Sequence, residues 1–278
     1  RIGKSYILRQ IIHHLINSKG VNPNNIFYLN KEFTIFEKVN SHSELERLFL
    51  YYKEKMKITG KVYLFLDEVQ NIIDWEKFVN SYSQDFSSPY ELFISGSNSK
   101  LLSGNLATLL SGRYIQFEIQ TFSFTEYTDF YQIEANQSSF SKYIQTGALP
   151  ELFHLEEDEI RRNYIEGLKN TIVLRDIIQR YQIKDSKLLE DIFRFLLTNI
   201  GNLTSIPAII RYFKSQQRKT NYDTLALYID YLCDTFILHK VERYDIRGKL
   251  SLAVEKKYYI NELSFKNYLY GVYPSDIG

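Results

Sequence analysis

The chain has 278 residues, roughly twice the ~150-residue soft prior for one domain, so two compact units are expected. With 44% apolar and 24% charged residues, five prolines and twelve glycines, its usage is ordinary globular, which excludes disordered, collagen-like and fibrous classes. The net charge of +1 hides a split, 15 Lys and Arg against 20 Asp and Glu through residue 159 and then 19 against 13, so the back half suits an anionic partner as well as plain surface chemistry.

The opening residues, Arg1-Ile2-Gly3-Lys4-Ser5, have no initiator Met and no lead-in strand, as expected of a fragment. From Lys4 to about Asn17 the apolar positions Ile7, Leu8, Ile11, Ile12, Leu15 and Ile16 fall at helical spacing, and Lys19-Gly20 with Pro23 end the run. Asn25 to Asn30 reads as a short buried strand. Ser43 with Glu46 forms a capping-box pattern that opens a helix to about Lys57. Lys61 to Asp67 is a nearly unbroken apolar strand of the kind buried on both faces of a parallel sheet, and it ends in Asp67-Glu68. Asp74 to Phe86 suits a helix, and Tyr90 to Ser95 a strand that runs into Gly96-Ser97-Asn98-Ser99. A short helical stretch at Leu106 to Leu110 precedes Ser111-Gly112-Arg113 and a further strand, Tyr114 to Ile119. Strands alternating with helices imply βαβ units, hence an α/β fold with a three-layer parallel sheet.

Beyond residue 120 the pattern is mostly helical. Gly147-Ala148-Leu149-Pro150 breaks it, Glu156 to Glu159 is an acidic turn, and amphipathic segments follow at 160–181 and 187–199. Helices at Ser205 to Lys214 and Asp223 to Cys233, then strands at Phe236 to Tyr244 and Lys249 to Tyr259, follow one another in an order that resembles a winged-helix unit. The division expected is 1–155 and 156–278.

Gly3-Lys4-Ser5 at a helix start matches the back half of the phosphate-binding loop G-x-x-x-x-G-K-[ST], whose first glycine would precede Arg1. Glycine lets backbone N–H groups approach phosphate oxygens, the helix N-terminus adds its positive end, lysine reaches the β/γ-phosphates, and the hydroxyl binds Mg²⁺. Asp67-Glu68 ends a strand at the edge where open parallel sheets take ligands: the aspartate suits metal binding, usually through water, and the glutamate suits orienting a water that attacks the γ-phosphate. Each also reads as an acidic strand end facing solvent. Ser97 and Asn98 are candidate sensors of that phosphate or polar turn caps, and Arg113 is a candidate for the cation that neutralises phosphoryl charge or a surface arginine.

These motifs in order, Arg1 to Ser5, Leu64 to Gln70, Ile94 to Ser99 with Leu101-Leu102, Leu110 to Tyr114, Phe122 to Phe124 with Glu126, and Gly147 to Glu151, resemble the AAA-type P-loop ATPases of bacteria and archaea. Those proteins are related to the archaeal STAND-like ATPases and carry an uncharacterised C-terminal domain. The similarity continues through Arg175-Asp176-Ile177, Asn199-Ile200-Gly201, Asp223-Thr224-Leu225 with Tyr228, and Lys257-Tyr258-Tyr259. The resemblance implies an ATPase core followed by a winged-helix-like domain, with ATP and Mg²⁺ as ligands. It gives Gly3, Lys4, Ser5, Tyr6, Asp67 and Ser97 binding roles, Ser5 and Asp67 at the metal, and Glu68, Arg113 and Asn98 catalytic ones. Ala148 departs from the pattern, where a second glycine is usual. Members often continue into a nuclease-like segment, but no paired Asp with Glu-x-Lys constellation stands in this chain.

One cysteine, Cys233, excludes a disulfide framework and favours a cytoplasmic setting, and five histidines without an i, i+4 pair give no zinc pattern. No apolar run reaches the ~18 residues of a membrane span. The expected partners are ATP and, through the back domain, DNA or another protein. The helix in the recognition position carries Asp223, Asp230 and Asp234 and no Lys or Arg, which suits a protein contact as well as DNA. Arg113 acting on a neighbouring subunit's nucleotide would require an oligomer.

Overall fold

Leu8, Ile11, Ile12, Leu15 and Ile16 make one apolar stripe, and in the computed structural model of the chain that stripe becomes helix α1 (Lys4–Asn17). The structure describes residues 2–85, 89–97, 113–242 and 255–271, with the side chains of 173 and 174 excepted. The helix expected at 106–110 and the sensor candidate Asn98 lie outside the described residues.

Gly3–Ile119 form one compact unit. Strands β1 (Ile26–Asn30), β2 (Val62–Asp67) and β3 (Tyr90–Ile94) make a parallel sheet in the order β1-β2-β3, with Asn30 opposite Asp67 and Leu66 opposite Ile94. Alternate strand residues point to opposite faces, and both faces are covered. Ile26, Tyr28, Tyr63, Phe65 and Phe93 meet α1, and Phe65 stacks on Phe93 with centroids 4.5 Å apart. Phe27, Leu29, Leu64 and Leu66 meet α2 (His42–Met56) and α3 (Trp75–Ser83). Phe49 of α2 is fully buried there and takes the rings of Phe27, Phe78, Tyr82 and Tyr90 edge-on. This is the three-layer α/β sandwich that the strand and helix alternation implies.

Two local expectations are corrected. The α2 start uses Ser41 and Glu44 rather than Ser43 and Glu46: the Glu44 carboxylate accepts the Asn40 N–H at 2.8 Å and the Ser41 hydroxyl at 3.0 Å, while Glu46 accepts the Tyr82 hydroxyl. Residues 114–119 form no strand. Ile115 and Phe117 are 81% and 78% exposed, because alternation marks a face but supplies no partner edge, and the sheet of described strands ends at β3.

The second unit spans Gln120–Gly278 with residues 1 and 2. The sequence reading put the change of domain after residue 155, whereas α4 (Phe124–Tyr131) and α5 (Gln137–Thr146) pack with the later helices through Phe124, Tyr127, Tyr143 and Phe153. Ser123 and Glu126 form a capping box at α4. The amphipathic stretch after residue 157 is broken into α6 (Asp158–Lys169), a π-helical segment (Asn170–Asp176) and α7 (Ile177–Tyr181). Helix α8 (Ser186–Thr198) supplies the centre of the core through Leu189, Ile192, Phe193 and Leu197. Then come β4 (Leu203–Thr204), α9 (Ile206–Ser215), α10 (Tyr222–Asp234), β5 (Leu238–Glu242) and β6 (Lys256–Ile260), with the strands antiparallel in the order β4-β6-β5. Helix α11 (Ser264–Tyr270) closes the unit. Before it, buried Glu262 accepts the N–H groups of Ala148 and Ser264, which joins the Gly147-Ala148 break to the last described helix. Cys233 packs against this core and burial pushes its thiol up to about 11, which suits a core residue and not a nucleophile.

Candidate functional site

The parallel register brings the carboxyl ends of the three strands level, so Asn30, Asp67 and Ser95 stand side by side. Asp67 is fully buried, a costly position for a carboxylate unless donors surround it. Three do. Asn30 Nδ2 donates to Oδ2 at 2.8 Å, the Tyr28 hydroxyl donates to the same oxygen at 3.3 Å, and the Ser95 hydroxyl donates to Oδ1. Asn30 is fixed in turn, since its own Oδ1 accepts the Glu32 N–H at 2.8 Å. These charge-assisted bonds hold the aspartate in one orientation and use three of the roughly four acceptor positions that a carboxylate offers.

Glu68, the next residue, has φ 54° and ψ 43°, the left-handed region that a side-chain-bearing residue enters uncommonly. This turns the chain sharply out of β2 into the 3-10 turn Val69–Asn71, and the Val69 N–H is satisfied by the Ser95 carbonyl at 3.2 Å. The Gln70 side-chain amide reaches back to Glu68 Oε2 at 2.5 Å and across to the Ser97 hydroxyl at 3.2 Å.

Helix α1 comes to the same edge by arithmetic. It is about 21 Å long at 1.5 Å per residue, and residues 18–25 return the chain to the start of β1, so α1 runs antiparallel to the strands and its N-terminus lies at their carboxyl side. Gly3 caps it at φ 93°, a conformation glycine adopts without strain. The first intrahelical bond runs from the Ile7 N–H to the Gly3 carbonyl at 2.9 Å, which leaves the N–H groups of Lys4, Ser5 and Tyr6 free of helical partners. No acidic side chain occupies the first turn. Lys4 and Ser5 are half-buried and their side chains form no hydrogen bond among the described residues, while the Tyr6 ring is 66% exposed. Such an end attracts anions.

The predicted residues therefore divide. Gly3, Lys4, Ser5, Asp67, Glu68 and Ser97 belong to one sheet edge and the helix that reaches it. Arg113 is exposed in an irregular segment and no described contact links it to them. Sequence reasoning missed Tyr28, Asn30, Ser95 and Gln70. The signal was slight: a polar residue ending an apolar strand, Asn30 in NIFYLN and Ser95 in YELFIS, marks a side chain with a task at the strand end. The donor set fits Mg²⁺, a hard cation that prefers oxygen and keeps several waters. Ser5 offers a hydroxyl, and Asp67 keeps an acceptor position for a metal-bound water. No helix among the described residues is long and apolar enough to cross a membrane.

Comparison with known proteins bears on the same residues. Residues 1–128 match the model of an AAA domain, and residues 137–276 match a Domain of unknown function (DUF8612). An uncharacterised protein of Haemophilus influenzae is 32% identical over 276 residues, spanning 98% of this chain and 67% of the relative. An uncharacterised protein of Methanocaldococcus jannaschii is 26% identical over 272 residues, spanning 94% of this chain and 58% of the relative. The chain thus covers two thirds of one relative and little over half of the other. A solved structure of the Aeropyrum pernix ORC1 protein in complex with DNA aligns over 96% of this chain and 83% of its own at 12% identity, with a TM-score of 0.36, too distant to draw on. The two model matches, together with the similarity that runs along almost the whole chain, establish that this chain belongs to the family of proteins that join an AAA domain, of the ATPase superfamily, to the DUF8612 domain.

Proposed function

We propose that the chain binds ATP with Mg²⁺ at the carboxyl edge of its parallel sheet and hydrolyses it to drive a conformational change. The observation that carries this reading is the fully buried Asp67, held by three donors beside Glu68, on the edge toward which α1 points Gly3, Lys4 and Ser5. In this reading the free N–H groups of the first helical turn and the Lys4 ammonium bind the phosphates, and the Ser5 hydroxyl and Asp67 hold the metal. Bound Mg²⁺ supplies neutralisation of the phosphate charge. Glu68 orients a water toward the γ-phosphorus and takes its proton as the bond to phosphorus forms and that to the ADP oxygen breaks. Ser97 or Asn98 reports the γ-phosphate, and Arg113 neutralises developing charge in its own subunit or a neighbour's.

Glu68→Gln tests the assignment. ATP should still bind, and turnover should fall by about 10²- to 10⁴-fold, the usual yield of a positioned base. Turnover at the unmodified rate would move the role elsewhere. Lys4-dependent binding without turnover in the unmodified protein would make it a nucleotide-dependent interaction switch.

Contact with DNA through the C-terminal unit is the weaker reading, although the order α8, β4, α9, α10, β5, β6 is that of a winged helix. Helix α10 carries no Lys or Arg, and two basic residues of the adjoining strands are engaged: Lys240 pairs with Asp230 of the helix at 2.9 Å and Lys256 of β6 with Glu242 of β5 at 2.7 Å. Phosphate contact needs free cations.

A further inference from the structure

We propose that Gln70 is a positioning residue that couples the γ-phosphate sensor Ser97 to the orientation of Glu68; the proposal rests on the ATPase reading above. Three observations meet in this side chain. First, its amide nitrogen spends its two N–H groups on two separate chain segments, Glu68 Oε2 at the end of β2 and Ser97 Oγ in the loop after β3. Second, Gln70 Oε1 is buried without a hydrogen-bond partner among the described residues, so it is not the Gln70 carbonyl that earns this side chain its place. Third, Glu68 sits in left-handed backbone, a conformation that persists where the surroundings over-determine it, and the Gln70 amide holds its carboxylate.

The chemistry follows from the direction of the bonds. Ser97 accepts from Gln70, so its own O–H remains to donate to a phosphate oxygen. Once it does so, its oxygen becomes a better acceptor, and the bond from Gln70 tightens along the chain Ser97–Gln70–Glu68. With Oε2 of Glu68 held by the amide, Oε1 is the carboxylate oxygen left to take the proton of the attacking water. An ATP-filled site and an ADP-filled site then differ at Glu68 through one intervening amide. A plain turn cap would predict only the i to i+2 bond to Glu68 and no dependence on Ser97.

The experiment uses the full-length protein and the variants Gln70→Met, Ser97→Ala and their combination. The methionine keeps the length of the side chain and cannot donate; Gln70→Glu, which also cannot donate when ionised, serves if the first variant unfolds. Two readouts are taken: steady-state ATP hydrolysis, and the ratio of ATP to ADP affinity measured by direct titration with Mg²⁺ present. Gln70→Met should lower kcat by about 10- to 100-fold, with KM for ATP rising no further than its ATP-to-ADP preference falls, the scale of a misplaced catalytic group. It should also reduce the preference for ATP over ADP as Ser97→Ala does, and the double variant should be no worse than the worse single, because the two act as one chain. Unchanged kcat and nucleotide preference in Gln70→Met, or losses that multiply in the double variant, would overturn the coupling while leaving the ATPase reading intact. An unmodified protein that binds no ATP would overturn both. One that binds without turnover would still decide the coupling by the ATP-to-ADP ratio.

Discussion

Gly147 is the position where one methyl group should do most damage to the C-terminal unit. Its backbone has φ 90° and ψ −179°, a region reserved almost wholly for glycine. An added Cβ would lie 2.2 Å from Glu262 Oε1 and 2.7 Å from Ser264 Cβ. Glu262 cannot step aside freely, because it accepts the Ala148 N–H at 3.0 Å and the Ser264 N–H at 2.9 Å, both buried. The forbidden backbone costs about 1–3 kcal/mol, and the overpacking a further ~1–3 kcal/mol, so Gly147→Ala should lose roughly 2–6 kcal/mol. With a urea m-value of about 2 kcal/mol/M, the midpoint for this unit should fall by about 1–3 M, read by far-UV circular dichroism. Gly201→Ala is the control: it also has a positive φ, 75°, but its Cβ would meet only Tyr259 at an ordinary 3.7 Å, so it should lose only about 1 kcal/mol. A Gly147→Ala midpoint shift no larger than that of Gly201→Ala would refute the reasoning.

Three further outcomes can be checked. Burial pushes the Glu262 carboxyl above its ordinary value of 4.5, against the pull of the Ser264 and Ala148 N–H groups, so the folded chain keeps this proton at pH values where the unfolded chain has lost it. Its contribution to stability therefore falls as pH rises from 4.5 through the raised value and is level above it; Glu262→Gln should flatten that part of the Tm–pH curve, and an unaltered slope would count against the burial argument. Asp67→Ala removes the acceptor of Asn30, Tyr28 and Ser95 and should destabilise the first unit by about 2–6 kcal/mol in urea, since the two buried donors left unpaired, Asn30 and Ser95, cost ~1–3 kcal/mol each; a loss under about 1 kcal/mol would mean that these donors find other partners. Ser123→Ala breaks the capping box of α4 and should cost about 1 kcal/mol, with no measurable loss contradicting a role for the cap.

Legibility followed locality. Helix α1 and the three strands were readable because an apolar stripe or an apolar run is written in consecutive residues, and Asp67-Glu68 announced itself as charge at the end of such a run. The segment 114–119 shows the limit: Ile115, Phe117 and Ile119 alternate as a strand should, yet a strand exists only with a partner edge, and pairing is not encoded within the segment. The capping pattern failed for a related reason. Ser43 and Glu46 have the right spacing, but Glu46 is committed to Tyr82, 36 residues away, which leaves Ser41 and Glu44 to begin α2. At the site, the residues that hold Asp67 come from β1 and from the end of β3, on either side of it, and become neighbours only through register, so Asn30 and Ser95 carried little signal on their own. Gln70 lay two residues from Glu68 in plain view, but its reach to Ser97 depends on the left-handed turn at Glu68.

The most direct measurement of the central claim is phosphate release from ATP plus Mg²⁺ by the full-length protein, with titration of ATP binding alongside, for the unmodified chain, Lys4→Ala and Glu68→Gln. The account predicts turnover in the unmodified chain, loss of both binding and turnover in Lys4→Ala, and loss of turnover with binding retained in Glu68→Gln. Turnover that survives Lys4→Ala, or ATP binding that is absent from the unmodified chain, would contradict it.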